Sequence, residues 1–254
     1  SAIGSNISQL FHLNHKRKIL LLGCGAAAAI SALFNSPIAG VIFVLEIILV
    51  DLKITFLIPL MFSSVSAFII AWAVSDQEKL FGEVPIEKFT AGDVPFYIVL
   101  GLLTGLVSWY YIATINKLED RFIKLQDKPW VKFIYAGLLM AIVMFLFPTL
   151  YGEGYYTLRK LLDGKEIDLF NSTFYTSIPS IGEISGESWV LIIFLIGSIL
   201  VKVFAYSFTK IAGGNGGVFA PSLFTGGTIG FILARSLNNL GLNLPEKNFT
   251  LVGM

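Results

Sequence analysis

Apolar residues run through this chain in long blocks, and polar residues fall between the blocks and do not alternate with them. A helix needs roughly 20 apolar residues to cross a bilayer. Ile54–Ser75, Val94–Ile115, Val131–Leu150 and Ser188–Phe208 reach that length and predict membrane-spanning helices. Ile19–Phe34 and Pro37–Val50 are shorter, and Asn35-Ser36-Pro37 separates them. Pro37 disfavours helix at Ser36 and cannot continue a helix from the turn before it. The pair therefore predicts two short helices meeting at a break, and a break at membrane depth has to be buried in protein or line a cavity. Leu223–Arg235 is also short for a span. The fold class expected is all-α, polytopic and integral to the membrane.

Composition sharpens this. Of 254 residues 55% are apolar and 14% charged, where a soluble domain carries about a quarter of its residues charged. The net charge of +1 suggests no nucleic-acid partner. Cys24, the single cysteine, excludes an intrachain disulfide and a multi-cysteine metal site. His12 and His15, beside Lys16, Arg17 and Lys18, read as solvated loop residues and not as metal ligands. Ser1 is no natural start and no signal peptide is visible, so the chain reads as a piece of a longer one. Charge also orients it. His12–Lys18 and Asn116–Lys132 are rich in Lys and Arg, whereas Asp76–Asp93 and Tyr151–Glu187 are net acidic, which places the first pair in the cytoplasm and the second outside.

The candidate chemistry lies in Gly213-Gly214-Asn215-Gly216-Gly217-Val218-Phe219-Ala220-Pro221-Ser222. Glycines let a backbone approach a ligand, because no Cβ intervenes. Asn215 tolerates a positive φ, and Pro221 suits the first turn of a helix. The stretch predicts a glycine turn feeding a helix N-terminus, whose unpaired N–H groups face an anion. No Lys or Arg lies between Ala212 and Ala234, so backbone dipoles would hold that anion. The two ends of the chain also resemble each other. Gly4-Ser5-Asn6-Ile7 is similar to Gly226-Gly227-Thr228-Ile229, and Leu21-Leu22-Gly23-Cys24 to Leu251-Val252-Gly253-Met254. Such internal likeness is common in transporters built from two related halves.

A dinucleotide-binding oxidoreductase is the competing class. Lys18–Ala28 contains G-x-G-x-x-A from Gly23 and Gly25, and Glu46 follows about 20 residues later, where a ribose-binding acid stands in that motif. Against it, Cys24–Phe34 offers only Ser31 as a polar residue, and no strand–helix alternation follows. Another broken-helix secondary transporter is the alternative among membrane proteins. No catalytic dyad is visible, and the reading is not an enzyme.

Three stretches together resemble the chloride channel and transporter (CLC) family. Gly216–Pro221 is similar to its G-x-F-x-P anion motif, Phe34–Glu46 to its N-x-P-x-A-G-x-x-F-x-x-E helix, and Tyr151-Gly152-Glu153-Gly154-Tyr155 to a glycine-rich turn between them. The resemblance covers residues 1–254 as a partial transmembrane domain, the end of one half and most of the next. It implies broken helices in an inverted repeat, a homodimer with a pore in each subunit, and chloride or a similar anion moved across the plasma membrane of a prokaryote by a channel or an H+/Cl− antiporter. No cofactor is implied beyond the bound chloride. The amides of Val218 and Phe219 would bind the anion. Gly216 and Gly217 would admit it, and Ala220 would start the helix. Lys202 matches a basic position in the preceding helix, there either to add positive potential or to reach the cytoplasmic interface on its long stem. Glu46 matches the first of two acids found in proton-coupled members, or is an interfacial acid paired with Lys53. The second acid of that pair falls at Ile47. The family's gating glutamate and inner serine would precede Ser1, and its inner tyrosine would follow Met254.

Overall fold

The computed structural model describes residues 2–47, 54–74, 81, 86–123, 128–166, 168–169, 188–214 and 216–254. Lys53, Asn215 and the ends of Ile54–Ser75 and Pro37–Val50 fall outside these residues, as do large parts of both acidic loops. Helices and short 3-10 turns make up the regular structure, with no strand among the described residues. Five helices are long and apolar enough to cross a membrane: His15–Phe34, Thr55–Val74, Ala91–Ile123, Pro129–Leu146 and Trp189–Ile211. The chain is thus an all-α polytopic membrane protein. It divides into two units, Ser1–Gly82 and Glu83–Met254.

The first unit contains α1 (Ala2–Leu10), α2 (His15–Phe34), α3 (Pro37–Ile47) and α4 (Ile54–Val74). α2 begins a turn earlier than its apolar block, because Asn14 caps it: the Asn14 side chain accepts from Arg17 N at 3.1 Å. That cap places His15, Lys16, Arg17 and Lys18 in the helix, a correction to their reading as loop, and makes α2 a full 20 residues. His12 stays in the preceding turn at φ 48°. The helix ends at Asn35, in the left-handed region at φ 50°, a conformation asparagine tolerates. Pro37 opens α3 at the first helical position.

The break is stitched into the protein. Ser31 O accepts the Asn35 N–H and, at 3.3 Å, the Ser36 N–H. Ser64 Oγ of α4 donates to Pro37 O at 2.6 Å, and Ser31 Oγ donates to Ser64 O at 2.7 Å. Ser63 Oγ reaches Cys24 O at 2.9 Å. Three helices are joined through hydroxyl-to-carbonyl bonds around a core of Ala27, Val41, Val44 and Leu60. Small residues let the backbones approach, as membrane helix pairs require: a Cβ on Gly40 would collide with Ala27 O. The G-x-G-x-x-A fingerprint falls mid-α2, with helix on both sides and no phosphate-binding turn, which removes the dinucleotide reading.

The second unit contains α5 (Val94–Ile123), α6 (Pro129–Leu146), α7 (Tyr155–Leu162), α8 (Ser188–Ile211), α9 (Phe219–Asn239) and α10 (Glu246–Gly253). α5 outruns its apolar block by carrying Asn116–Arg121 as continuing helix, and Lys210 of α8 pairs with Glu119 there. Thr90 and Asp93 form a capping box just before α5. α9 is 21 residues long, beyond the short Leu223–Arg235 expected. Its C-terminal end is held by polar contacts in place of apolar length: Arg235 reaches Glu166 at 2.9 Å and Glu246 at 3.2 Å, and Asn238 bonds both Glu246 and the Leu244 backbone. Lys160 of α7 donates to Asp168, beyond that helix, at 2.8 Å; that bond holds the Asp168 carboxyl below its ordinary range and raises Lys160.

α9 and α10 touch backbone to backbone. A Cβ on Gly226 would overlap Gly253 O, and one on Gly230 would overlap Phe249 O. In the first unit a Cβ on Gly4 would overlap Leu21 O. Gly4 with Leu21 and Gly226 with Gly253 lie in the stretches whose sequences resemble each other, so that likeness is also one of close backbone approach. Gly226→Ala is expected to cost about 1–3 kcal/mol, since two helix backbones must part. Gly137→Ala, where a Cβ meets open space, should instead be neutral or stabilising by up to about 1 kcal/mol. Detergent unfolding curves of the two variants check this.

Candidate functional site

The site is built at the start of α9. Gly213 takes φ +95° after α8, and Gly214 N donates to Thr209 O at 2.9 Å, which turns the chain back. Gly216 and Gly217 are exposed, and a Cβ on either would meet no protein atom within 4 Å. Val218 follows as the N-cap at φ −78°, ψ −15°. A valine has no oxygen with which to cap a helix, so this end lacks the side-chain acceptor that Ser or Asp supplies. The Ser222 N–H donates to Val218 O at 3.0 Å, and Pro221 has no N–H. The Ser222 hydroxyl turns away and donates to Phe219 O at 2.7 Å. Helix α9 begins at Phe219, one residue before the expected Ala220, with Pro221 inside its first turn. The positive end of a 21-residue helix is thereby presented with no basic residue nearby in sequence.

Lys202 of α8 does not reach water. It is 3% exposed. Its Nζ donates to Gly152 O at 3.2 Å and lies 5.0 Å from the Phe224 ring centre. The snorkelling role is thereby corrected. Phe224 is fully buried between two features the sequence presents separately. Lys202 covers its ring, and Gly154, at φ +106°, packs so closely that a Cβ would fall 2.8 Å from it. The Tyr151–Tyr155 turn, Lys202 and the second turn of α9 are therefore one packed assembly. Its turn starts α7 with Gly152 and Gly154 both left-handed.

Glu46 is exposed on α3, away from the face that buries Gly40, Val41 and Val44, and its neighbour Ile47 is 63% exposed. Its expected partner Lys53 is not among the described residues. Glu46 lies in the first unit and the glycine turn in the second. Tyr111 is the residue missed by sequence reasoning. It is 7% exposed in α5, and its hydroxyl is buried against the Thr225 side chain. The signal available was a polar-tipped aromatic inside an apolar span, which by itself does not tell a buried hydroxyl from an interfacial one.

A family model described as voltage gated chloride channel matches residues 1–254. The chain belongs to this family. The voltage-gated ClC-type chloride channel ClcB of Escherichia coli O17:K52:H18 (strain UMN026 / ExPEC) is 28% identical over 228 residues, covering 89% of this chain and 48% of ClcB. ClcB of strain SMS-3-5 / SECEC matches with the same figures, and ClcB of strain K12 / DH10B is 27% identical over the same length. The chain spans about half the length of these curated relatives. Family membership agrees with the G-x-F-x-P and N-x-P-x-A-G stretches read from the sequence, and the helices long and apolar enough to span make this member of the chloride channel family an integral membrane protein.

Lys202→Met tests the packed assembly. Loss of a charged hydrogen bond to Gly152 O should cost no more than about 3 kcal/mol, because the desolvation of a buried ammonium is relieved at the same time. Amide exchange at Tyr155–Leu158 should quicken, while exchange along α10 stays unchanged. Mass-spectrometric hydrogen exchange in detergent reads both.

Proposed function

We propose that this chain forms part of the anion path of a protein that moves chloride, or a similar small inorganic anion, across a prokaryotic plasma membrane. The observation that carries the reading is the uncharged, glycine-led N-terminus of α9, with its valine N-cap and its proline in the first turn. A dehydrated monovalent anion is stabilised by oriented N–H dipoles without being trapped by a counter-charge. The donors are the amides of Val218 and Phe219. Gly216 and Gly217 leave room for approach, and Ala220 continues the first turn. Lys202 contributes positive potential from behind Phe224 and does not touch the anion. The names of the ClcB relatives describe a voltage-gated chloride channel, which supports the anion assigned here. The anion is expected about 3.0–3.6 Å from the Val218 and Phe219 nitrogens, longer than an N–H···O bond because chloride is larger than oxygen. Anomalous diffraction from bromide-soaked crystals checks this; a pore peak elsewhere with none at these amides overturns it.

The family's homodimer is part of the same proposal. Ile38 and Ile42, 74% and 53% exposed on α3, supply an apolar face for it, and cysteines placed along Val41–Ile47 should cross-link between subunits of a dimer.

Channel and antiporter separate at α3. Uphill proton movement through an apolar interior needs a titratable relay, and Ile47 provides none. Glu46 points about 100° away around the helix and is exposed. Anion flux with weak or no stoichiometric proton coupling is therefore expected, with the broad anion function unaffected. Proteoliposomes given a chloride gradient, with a pH electrode outside, decide it. Proton uptake against its own gradient that Glu46→Gln abolishes would show that Glu46 serves as the relay.

A further inference from the structure

A cleft of about 420 Å³ opens between the first half of α6 and the end of α8. Phe133, Gly137 and Met140 line one side, and Phe208, Thr209 and Gly213 the other. Phe133 is 54% exposed and Gly137 is exposed as well, so the cleft is open along its α6 side. Thr209 brings the one polar side chain of the wall, and its hydroxyl is already engaged: it donates to Ala205 O at 2.9 Å and lies 3.9 Å from Met140 Sδ. Glycine inside a helix is unfavourable relative to alanine, and membrane helices ordinarily use it for close backbone approach. Gly137 serves no such approach, since a Cβ there meets no protein atom within 4 Å. Its missing side chain leaves the cleft open. A wall of this kind offers nothing to a polar ligand and fits a hydrocarbon chain.

Charge stands at one end of it. At 1.5 Å per residue, Phe133 lies about 6 Å and Met140 about 16 Å along α6 from its start at Pro129. Lys128 and Lys132 flank that start, with no ion pair among the described residues, whereas Lys210 at the end of α8 is paired with Glu119. Trp130, 77% exposed, stands in the same turn, as tryptophans do at a membrane–water boundary. Across residues 116–132 Lys and Arg outnumber Asp and Glu, which makes this the cytoplasmic end. We propose that the cleft is a docking site for an anionic phospholipid of the cytoplasmic leaflet. One acyl chain lies between α6 and α8, and the phosphate meets Lys128 and Lys132 at the mouth. Basic groups at the cytoplasmic edge of a membrane helix attract acidic headgroups, and a neutral headgroup gains nothing from them. The tail rests against Gly213, in the turn that leads to α9. The inference does not depend on the anion reading of that helix.

The test measures binding of dioleoyl phosphatidylglycerol and dioleoyl phosphatidylcholine to the purified full-length protein in detergent, read by native mass spectrometry. The wild type is compared with Gly137→Leu, which fills the cleft, and with a double variant carrying Lys128→Gln and Lys132→Gln. The wild type is expected to hold phosphatidylglycerol in preference to phosphatidylcholine. Gly137→Leu should weaken phosphatidylglycerol binding about tenfold, through loss of the buried tail. Each lysine removed should weaken it about fivefold, the scale of one basic group near a membrane surface, with phosphatidylcholine binding unchanged. Equal phosphatidylglycerol binding by the wild type and Gly137→Leu overturns the cleft as the site. Equal binding of the two lipids by the wild type, or no loss in the lysine variant, overturns the anionic headgroup and leaves a cleft open to any apolar chain. Should Gly137→Leu fold poorly by melting temperature, wild-type crystals grown with brominated-tail phosphatidylglycerol decide instead. A bromine anomalous peak beside Gly137 between α6 and α8 supports the proposal. No peak there, or a second copy of the chain seated in the cleft, overturns it.

Discussion

A lipid bilayer offers no hydrogen bonds, so every peptide group at membrane depth must find its partner inside the protein. The rest of this structure follows from that constraint. Regular helix satisfies it along each span, and the difficulty concentrates at helix ends and at breaks. Around Asn35-Ser36-Pro37 the freed carbonyls of Ser31 and Pro37 are taken up by the Asn35 and Ser36 amides and by the Ser64 hydroxyl. At the start of α9 no side-chain oxygen is supplied at the N-cap. One discontinuity is closed with serines. The other is left to glycine and valine, and a helix N-terminus left this way is suited to an external anion.

Close approach of helices is the second consequence. Apolar side chains gain little by leaving lipid for one another, so membrane helices associate through small residues and shared hydrogen bonds. Gly40 against Ala27 and Gly226 against Gly253 bring backbones together, and Ser31, Ser63 and Ser64 bridge them. Lys202 extends the same economy to a charge. Its ammonium finds a carbonyl and an aromatic face within protein, in place of water.

Much of this was legible in the sequence. Apolar block length located the spans, the N-S-P triplet located the break, and the glycine run located the start of α9, because each rests on local chain chemistry. What stayed hidden depends on partners distant in sequence. Asn116–Arg121 reads as a basic loop until Lys210 meets Glu119. α9 reads as short until Arg235 and Asn238 meet Glu166 and Glu246. Lys202 leaves open the interface or the interior until Gly152 is found at its tip. Tyr111 gave no signal apart from being a tyrosine in a span, and only the structure shows its hydroxyl buried. Gly4–Ile7 and Gly226–Ile229 gave a faint internal likeness. The glycine contacts on either unit turn it into a shared way of docking one helix on the next.

The contact of α9 with α10 has a mechanical meaning. Where glycine backbone meets glycine backbone, no side chain stands between the helices to change rotamer and loosen them. The pair can tilt or translate as one body, but it cannot breathe internally. Gly213, just upstream of the pair, holds left-handed backbone at φ +95°, whereas Gly241, at φ +98°, lies in the connection inside it. A pivot open to the pair as a whole therefore falls at Gly213, just upstream of the amides assigned to the anion.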